Sequence, residues 1–412
     1  VEAVEKSVAQ LEGAYTMIAM MTGEPELVAA RNESPLIIGI GDRENFIASD
    51  VPALLDYTSR VIYLEDGDIA VVTAKDVTVR RGGNKIEREV HKITWSVADA
   101  QKGGYEHFML KEIHEGPKVI RDTLAEYLSA TDSLAGLGEG GGNLEDLLIL
   151  ACGTSYHAGL IGKYILESLL NVPVRVEIAD EFSYGGQASA RNKSIVITQS
   201  GETRDVLKAL RRLKENGSRT IAITNVVGST VTRLADRTIY TRAGPEISVA
   251  ASKTHIAQLI ALYWLALPFA RVDVSRLDSL LLELRQLPVK VQQVLDNEEK
   301  IAGLAAVLKD YENVFYIGKG INYPVALEGA LKLKEIAYIH AEGYAAGELK
   351  HGPFALLGEK TPVIAVAGQD GTYDAILTSI KEIKARHSPV IAVSSEDDNG
   401  IAGLADYMIN MP

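Results

Sequence analysis

The sequence predicts an α/β protein with two copies of one parallel-sheet sandwich, preceded by a smaller region rich in antiparallel strands. Short apolar segments alternate with helical patterns from residue 147 onward, which is typical of a parallel sheet. The same order of segments returns about 165 residues later. Residues 1–95 instead carry short strand patterns separated by Gly and Asp turns.

Composition limits the classes of function open to this chain. Its 412 residues suggest about three domains. A net charge of −13 disfavours a nucleic-acid binder, which normally presents a basic surface. Cys152 is the single cysteine, so no internal disulfide can form and a reducing cytoplasm is the expected setting. No apolar run reaches the roughly 20 residues of a membrane span, so we expect no membrane partner.

The first 145 residues divide into a strand-rich region and a connector. Residues 1–95 predict a mostly antiparallel sheet and show no spacing typical of a catalytic constellation. The connector carries two helical patterns interrupted at Gly116-Pro117, and the stretch from Gly136 to Gly142 predicts a flexible surface turn. The predicted domains are a strand-rich region, a helical linker and two sandwiches, at 1–95, 96–145, 146–295 and 296–412.

From residue 147 the pattern becomes strand, helix, strand. Apolar strands are predicted at 147–150, 174–178, 195–197, 220–224 and 237–241, with helices ending near 170 and 216 and spanning 249–270 and 275–310. A second copy follows, because 314–320 matches 148–154 and the matching glycines, Gly153 and Gly318, lie 165 residues apart. Later segments continue the match at 362–367, 375–384 and 389–393, which indicates a tandem duplication.

Polar loops follow two strands of the first copy. One is Gly153-Thr154-Ser155, and the other is T-Q-S-G-E-T at 198–203. Parallel strands end at one edge of a sheet, where helix N-termini offer N–H donors to anions. The loops are rich in hydroxyls but lack the P-loop motif that binds nucleotides, so their predicted ligand is a phosphate ester of a small metabolite. The alternative is plain helix capping, but the duplicate loop at 367–371 lacks the hydroxyls, so folding does not require them.

A charged helix face is predicted in the second copy. Glu328, Lys332 and Glu335 occupy positions i, i+4 and i+7, on one face. A solvated Glu–Lys pair, worth only about 0.2–0.5 kcal/mol, is the ordinary explanation. Apolar residues on the other faces equally fit a charged face that lines a crevice. His351 precedes Gly352-Pro353 on a rigid turn and suits acid–base work near neutrality, although a lone loop histidine is usually incidental.

Four motifs give the chain a resemblance to a known family. They are C-G-T-S at 152–155, S-G-E-T at 200–203, A-L-E-G-A-L-K-L-K-E-I at 326–336 and E-L-K-H-G-P at 348–353. Together they resemble the glutamine–fructose-6-phosphate aminotransferase (isomerizing) family over essentially the whole chain. The resemblance implies two sugar-isomerase (SIS) domains. It also implies that residues 1–95, with G-A-Y at 13–15 and E-N-F-I-A-S-D at 44–50, are the latter part of an N-terminal-nucleophile (Ntn) glutaminase domain.

The resemblance also implies an activity and a substrate site. The expected reaction converts fructose 6-phosphate and glutamine to glucosamine 6-phosphate and glutamate, the first step of amino-sugar synthesis, with no cofactor and no metal. The implied phosphate site consists of Thr154, Ser155, Thr198, Gln199, Ser200 and Thr203. The family often has serine at the position of Thr198. The segment with Val249 and Ala251 would line the sugar, although a serine is expected near Ala251.

The same resemblance implies roles for the acid–base residues. Glu335 would move a proton between C1 and C2, Lys332 would stabilise charge on the neighbouring oxygen, and Glu328 would orient these groups. His351 would open the sugar ring, reaching the first-copy site of a neighbouring subunit. That role implies a homodimer with shared active sites.

The chain departs from the family pattern at both ends. The family's glutaminase uses an N-terminal cysteine, and no cysteine precedes Cys152. The family's C-terminal lysine, which forms an imine with the keto sugar, is also absent, so we expect this chain alone neither to hydrolyse glutamine nor to complete the amination. Two alternatives stay open. A tandem-SIS deglycase or ammonia-using deaminase leaves residues 1–95 unexplained, and a sugar-phosphate-sensing module has no use for Glu335 and His351.

Overall fold

A computed structural model describes residues 1–95, 98–129, 146–187 and 193–412. The glycine-rich turn predicted at 136–142 lies outside these residues. In the described part of the chain, no helix combines the length and the apolar character that crossing a membrane requires.

The N-terminal region forms two antiparallel sheets that share one core. It begins with helix α1, Glu2–Val8, and contains a short 3-10 helix at Val51–Leu54. Its strands are β1 Tyr15–Met20, β2 Leu27–Asn32, β3 Ile37–Ile40, β4 Asn45–Ala48, β5 Arg60–Tyr63, β6 Ile69–Val72, β7 Val77–Arg81, β8 Asn84–Ile86 and β9 His91–Lys92. Their orders are β1-β2-β6-β7-β8 and β4-β3-β5-β9. Ala29, Ile38 and Val79 lie in the shared core, which confirms the predicted antiparallel region.

Two helices lead from this region to the first parallel sheet. After a 3-10 turn at Ala98–Ala100 come α2, Phe108–His114, and α3, Gly116–Ser129, separated near the predicted break. Helix α3 is part of a core, because Ile120, Leu124 and Tyr127 are buried against the first sandwich. The segment predicted as a linker therefore packs as a layer of the next domain. The predicted boundaries at 96, 146 and 296 stay predictions.

The first sandwich contains five parallel strands in the order β11-β10-β12-β13-β14. They are β10 Leu147–Ala151, β11 Val174–Ile178, β12 Lys193–Ile197, β13 Arg219–Thr224 and β14 Arg237–Tyr240. The helices are α4 Gly153–Leu170, α5 Ala179–Gly185, α6 Arg204–Glu215, α7 Thr230–Leu234, α8 Lys253–Ala266 and α9 Val274–Leu295, with a 3-10 turn at Leu267–Phe269. Every residue of β10 is buried, because helices cover both faces of the sheet. This confirms the prediction from continuous apolar strands.

The second sandwich repeats this topology with the order β16-β15-β17-β18-β19. Its strands are β15 Asn313–Gly318, β16 His340–Ala345, β17 Val363–Val366, β18 Val390–Ser395 and β19 Tyr407–Met411. Its helices are α10 Glu298–Leu308, α11 Asn322–Ala337, α12 Tyr373–Lys384 and α13 Asn399–Ala402, with 3-10 turns at Glu348–Lys350 and Pro353–Leu356. The matching strand order supports the predicted duplication.

One structural device occurs in both copies. In the first, the carboxylate of Asp236 accepts bonds from the N–H and hydroxyl of Thr220, 2.8 and 2.9 Å away, and pairs with Lys214. In the second, Asp406 accepts a bond of 2.7 Å from the Val390 N–H and pairs with Lys384, 2.6 Å away. The two aspartates lie 170 residues apart, as do the two lysines. We call each arrangement a Lys–Asp clamp, since it ties a helix end to the start of a strand.

Candidate active site

The hydroxyl-rich loop runs from strand β12 to the start of helix α6. Thr198 is buried, and its Oγ1 lies 2.8 Å from Oγ1 of Thr203. The hydroxyl of Ser200 accepts a bond of 3.1 Å from the N–H of Glu202. Thr203 is the N-cap residue of α6, but its side chain makes no capping bond. Simple capping therefore does not explain why hydroxyls are placed here.

Glu202 anchors this loop to helix α7. Its carboxylate accepts bonds of 2.7 and 2.9 Å from the N–H and hydroxyl of Thr230, and Arg31 of the N-terminal region lies 3.7 Å away. Burial raises the pKa of Glu202, while the Thr230 bonds and Arg31 oppose that shift. Since its oxygens already have partners, Glu202 supports the loop, whose hydroxyls remain the groups suited to an anion.

Gly201 is the residue that lets this loop close against its neighbour. Its φ is +68°, and an added Cβ would stand 2.0 Å from Oγ of Ser229. A side chain at this position would therefore meet both backbone strain and a steric clash.

The second polar loop lies beside the first. Strands β10 and β12 are neighbours, with Ala151 opposite Ile197. Thr154 and Ser155 therefore begin helix α4 at the same sheet edge as the 198–203 loop. Ser155 is buried, and its hydroxyl is 3.0 Å from Nε2 of Gln258. The topology thus brings the predicted phosphate residues to adjacent strand ends.

The charged face of helix α11 packs against this edge. Glu328 is only 8% exposed, and its Oε1 lies 3.0 Å from the hydroxyl of Thr154. The Lys332 ammonium lies 3.0 Å from the same hydroxyl, 3.5 Å from Glu328 Oε1 and 2.6 Å from Glu335 Oε2. The solvated-face explanation is therefore wrong for Glu328 and Lys332. The hydroxyl of Thr154 links the first-copy edge to Glu328 and Lys332 of the second copy, and its role in holding phosphate stays a prediction.

Two histidines that the sequence analysis missed lie beside Thr154, Glu328 and Lys332. We call these five residues, together with Glu335, the cluster. His157 of α4 places Nδ1 2.7 Å from Oε2 of Glu328. His255 of α8 contacts the Thr154 backbone, and its buried Nδ1 has no hydrogen-bond partner within the described ranges. Burial lowers the pKa of His255, and the nearby charge of Lys332 adds to this effect. His157 lies one helical turn after Thr154, on the same face of α4, but this spacing does not indicate its partner on α11.

The predicted sugar segment is a loop held by two carboxylates. Glu112 accepts bonds of 2.6 and 3.2 Å from the N–H groups of Ile247 and Ser248. Glu246 accepts bonds of 2.8 and 3.3 Å from the N–H groups at 252 and 254. The helix predicted from residue 249 begins only at Lys253; its N-cap residue, Ser252, makes no side-chain capping bond, and the Glu246 carboxylate accepts the N–H bonds at its start instead. Val249 is 96% exposed on this loop, and Ala251 is half-buried.

His351 stands apart from the cluster. It is exposed, follows a 3-10 turn and precedes Gly352, whose φ is +130°. Among the bonds and ion pairs of the described residues, none joins its side chain to Glu328, Lys332 or Glu335. The described part of the chain also contains no group of three or more His, Cys, Asp or Glu that could hold a metal ion.

Comparisons with known proteins first define the class. The family model for the SIS domain matches residues 144–268 and 307–412, ranges that include all the described strands of the two parallel sheets. The structure of the C-terminal domain of glucosamine-fructose-6-phosphate aminotransferase from Francisella tularensis is 35% identical, with a TM-score of 0.71. That match covers 76% of this chain and 90% of the solved chain. The protein is therefore a tandem SIS-domain protein.

Curated relatives then give the family. The glutamine–fructose-6-phosphate aminotransferase (isomerizing) of Caldanaerobacter subterraneus subsp. tengcongensis is 47% identical, over 100% of this chain and 70% of the relative. That of Methanothermobacter thermautotrophicus is 48% identical, over 98% of this chain and 67% of the relative. The chain belongs to the glutamine–fructose-6-phosphate aminotransferase (isomerizing) family.

Proposed function

We propose that this chain carries the isomerase part of an enzyme that converts fructose 6-phosphate and glutamine to glucosamine 6-phosphate and glutamate. One observation carries the proposal: Glu328 and Lys332 of the second copy meet Thr154 of the first, beside the hydroxyl-rich loop. An anion site and a set of acid–base groups therefore share one sheet edge. A sugar-phosphate isomerisation needs both.

The phosphate group binds at the first copy. Hydroxyls at 198, 200 and 203 and the N-terminus of α6 supply neutral donors and a partial positive charge. Ser155 adds a hydroxyl at the start of α4, and the amide of Gln199 adds a further donor. Neutral donors on a protein with a net charge of −13 favour a single small anion held locally.

The proton transfer takes place at the second copy. When an amino group has replaced the C2 oxygen as a protonated imine, Glu335 removes a C1 proton, the C–H electron pair forms a C1–C2 double bond, and the C2–N π pair becomes the lone pair of the amine. The Glu335 carboxyl exchanges this proton with water and then protonates C2 through the C1–C2 π pair, while O1 gives its proton to water and its electron pair forms the C1 aldehyde. Lys332 stabilises the charge on the oxygen during this step. Glu328 holds Lys332 in place through the 3.5 Å contact.

Ring opening is assigned to His351 of a second subunit. Its exposure, and the lack of any described contact with the cluster of its own chain, fit a residue that serves a neighbour's site. Val249 and Ala251 line the sugar from the exposed loop of the first copy. We therefore propose a homodimer with shared sites, in a reducing cytoplasm, with glutamine bound only by a complete glutaminase domain.

The test is product formation by the protein expressed from its complete reading frame. Fructose 6-phosphate is supplied with glutamine or with ammonium, and glucosamine 6-phosphate is measured by chromatography. We expect product with glutamine. Loss of hydrogen label from C1 of fructose 6-phosphate is followed in parallel. Failure to form glucosamine 6-phosphate with either donor contradicts the proposed function.

A further inference from the structure

Glu328 receives hydrogen bonds from two residues of one helix. Oε1 lies 3.0 Å from the Thr154 hydroxyl, and Oε2 lies 2.7 Å from His157 Nδ1. Thr154 and His157 are three residues apart on α4, so both lie on the face turned to α11. An ionised carboxylate only accepts, so Nδ1 of His157 carries the proton. Both oxygens of Glu328 are thereby held by the first copy, 174 and 171 residues away in sequence.

The position of Glu328 decides how the Lys332 ammonium is shared. The ammonium lies between Glu328, at 3.5 Å, and Glu335, at 2.6 Å. A carboxylate paired only with an ammonium is a weaker base, because the positive charge favours its ionised form. While Glu328 stays ionised and in place, it shares the Lys332 ammonium with Glu335. The Glu335 carboxylate is then not the only partner of the ammonium, and it stays in place to take a proton from carbon.

We propose that His157 is a positioning residue for the proton-transfer step, holding the Glu328 carboxylate so that Lys332 is shared between Glu328 and Glu335. This inference rests on the proposed function, since it concerns the same reaction. His157 does not touch the reacting atoms and acts through Glu328.

The electrostatics of the cluster agree with this role. Burial alone would raise the pKa of Glu328, but the hydrogen bond from His157 and the charge of Lys332 hold that pKa below its usual range. His255 from α8 also faces the carboxylate, and Glu335 lies beyond Lys332 on α11. Removing the His157 donor therefore allows Glu328 to protonate at a higher pH, after which Lys332 pairs with Glu335 alone.

The test compares His157→Leu, which removes the donor, with His157→Asn, whose amide nitrogen can stand where Nδ1 was. Loss of C1 label from fructose 6-phosphate is measured from pH 5 to 9 in the complete protein. For His157→Leu we expect kcat to fall about 10- to 100-fold, since small misplacements near a reacting group cost this much. KM should stay within about threefold, and the acid limb of the kcat profile should move to higher pH. His157→Asn should retain most of the wild-type kcat, and the acid limb of its kcat profile should lie at the wild-type pH.

Controls separate a positioning role from a merely structural one. His107→Leu, at an exposed histidine with 70% side-chain exposure, should behave as wild type. If His157→Leu does not fold, His157→Gln, whose amide lies one methylene further out, replaces it. A change in KM or thermal midpoint alone, without the kcat loss and the shift of the acid limb, overturns the inference. If wild-type protein releases no C1 label at all, the proposed function fails instead.

Discussion

The two SIS copies share a topology and a Lys–Asp clamp, yet their strand-to-helix loops differ. The first-copy loop, 198–203, contains hydroxyls that bond to one another and a glycine closed against Ser229. The second-copy loop has one hydroxyl, that of Thr372, which bonds to Asp370; an added Cβ at Gly368 would stand 3.1 Å from Asn322 Nδ2, and Gly371 faces open space. The clamp maintains the fold in both copies, while the hydroxyl loop is confined to one. The proposed phosphate site therefore lies in the feature that the duplication does not share.

A second contrast concerns the helices α4 and α11. Counted from the matching glycines, Glu328 and Lys332 correspond to Lys163 and Glu167, which also form an i,i+4 pair. The side chains of the first-copy pair are 41% and 37% exposed and lie 4.0 Å apart. Those of Lys332 and Glu328 are 20% and 11% exposed. Equivalent residue types at one spacing thus give a solvated pair in one copy and an interface cluster in the other.

The largest expected loss of activity distinguishes Lys332 from its first-copy counterpart, Lys163. Lys332→Met removes the cation that we propose stabilises the reacting oxygen, so release of C1 label should fall about 100- to 1,000-fold, as when one charge-stabilising donor is lost. Lys163→Met removes only a solvated partner and should leave the rate within about twofold. Equal losses in both variants, or no loss in Lys332→Met, would contradict the assignment of Lys332.

The second largest expected difference is between alanine substitutions at the loop glycines Gly201 and Gly371. Gly201→Ala combines a φ of +68° with a Cβ 2.0 Å from Ser229 Oγ. We expect it to destabilise the protein by about 2–4 kcal/mol and to weaken fructose 6-phosphate binding. Gly371→Ala should be close to neutral in thermal unfolding and in calorimetric titration. A Gly201→Ala protein with wild-type stability and affinity would show that this loop tolerates rearrangement.

The smallest expected effect is a loss of stability that is similar in both copies. Burial alone would raise the pKa of Asp236 and Asp406, but their lysine partners and strand N–H groups lower it. A carboxyl with a lowered pKa stabilises the fold above its unfolded pKa, near 4, and loses that effect as the pH falls. Because the paired side chains are 40% and 42% exposed in the first clamp and 33% and 38% exposed in the second, Asp236→Asn and Asp406→Asn should each lower the free energy of unfolding by only about 0.5–1 kcal/mol at pH 7.

Urea unfolding at pH 7 and pH 3 measures these clamps. The loss in free energy of unfolding caused by each substitution should be present at pH 7 and should decrease toward pH 3. Fructose 6-phosphate affinity should not change in either variant. A cost that is independent of pH, or confined to one copy, would contradict the view of the clamp as a shared structural device.

The parallel sheets could be predicted from sequence because buried strands produce continuous apolar runs. Every residue of Leu147–Ala151 is buried, as its composition predicts. The start of α8 could not be predicted, since it depends on Glu246 reaching the N–H groups at 252 and 254. The packing of α3 was missed for a related reason: its amphipathic pattern does not say which core it joins.

The candidate site was predictable where a motif lies on a strand end or on one helix face. The burial of Glu328 and the roles of the histidines were not, because His157 and Glu328 are 171 residues apart in sequence. A histidine in an apolar helix gives no sign of a partner contributed by the other copy.

We propose that the first copy binds phosphate while the second carries out the proton transfer. Fructose 6-phosphate affinity and release of C1 label, measured together in Ser200→Ala and Glu335→Gln, test it most directly, with Glu359→Gln as an exposed-carboxylate control. Ser200→Ala should weaken binding about tenfold, as loss of one hydrogen bond to a charged group does, and should retain label release at saturation. Glu335→Gln should bind normally and release label at least about 100 times more slowly. Normal label release by Glu335→Gln, or unchanged affinity in Ser200→Ala, would contradict the claim.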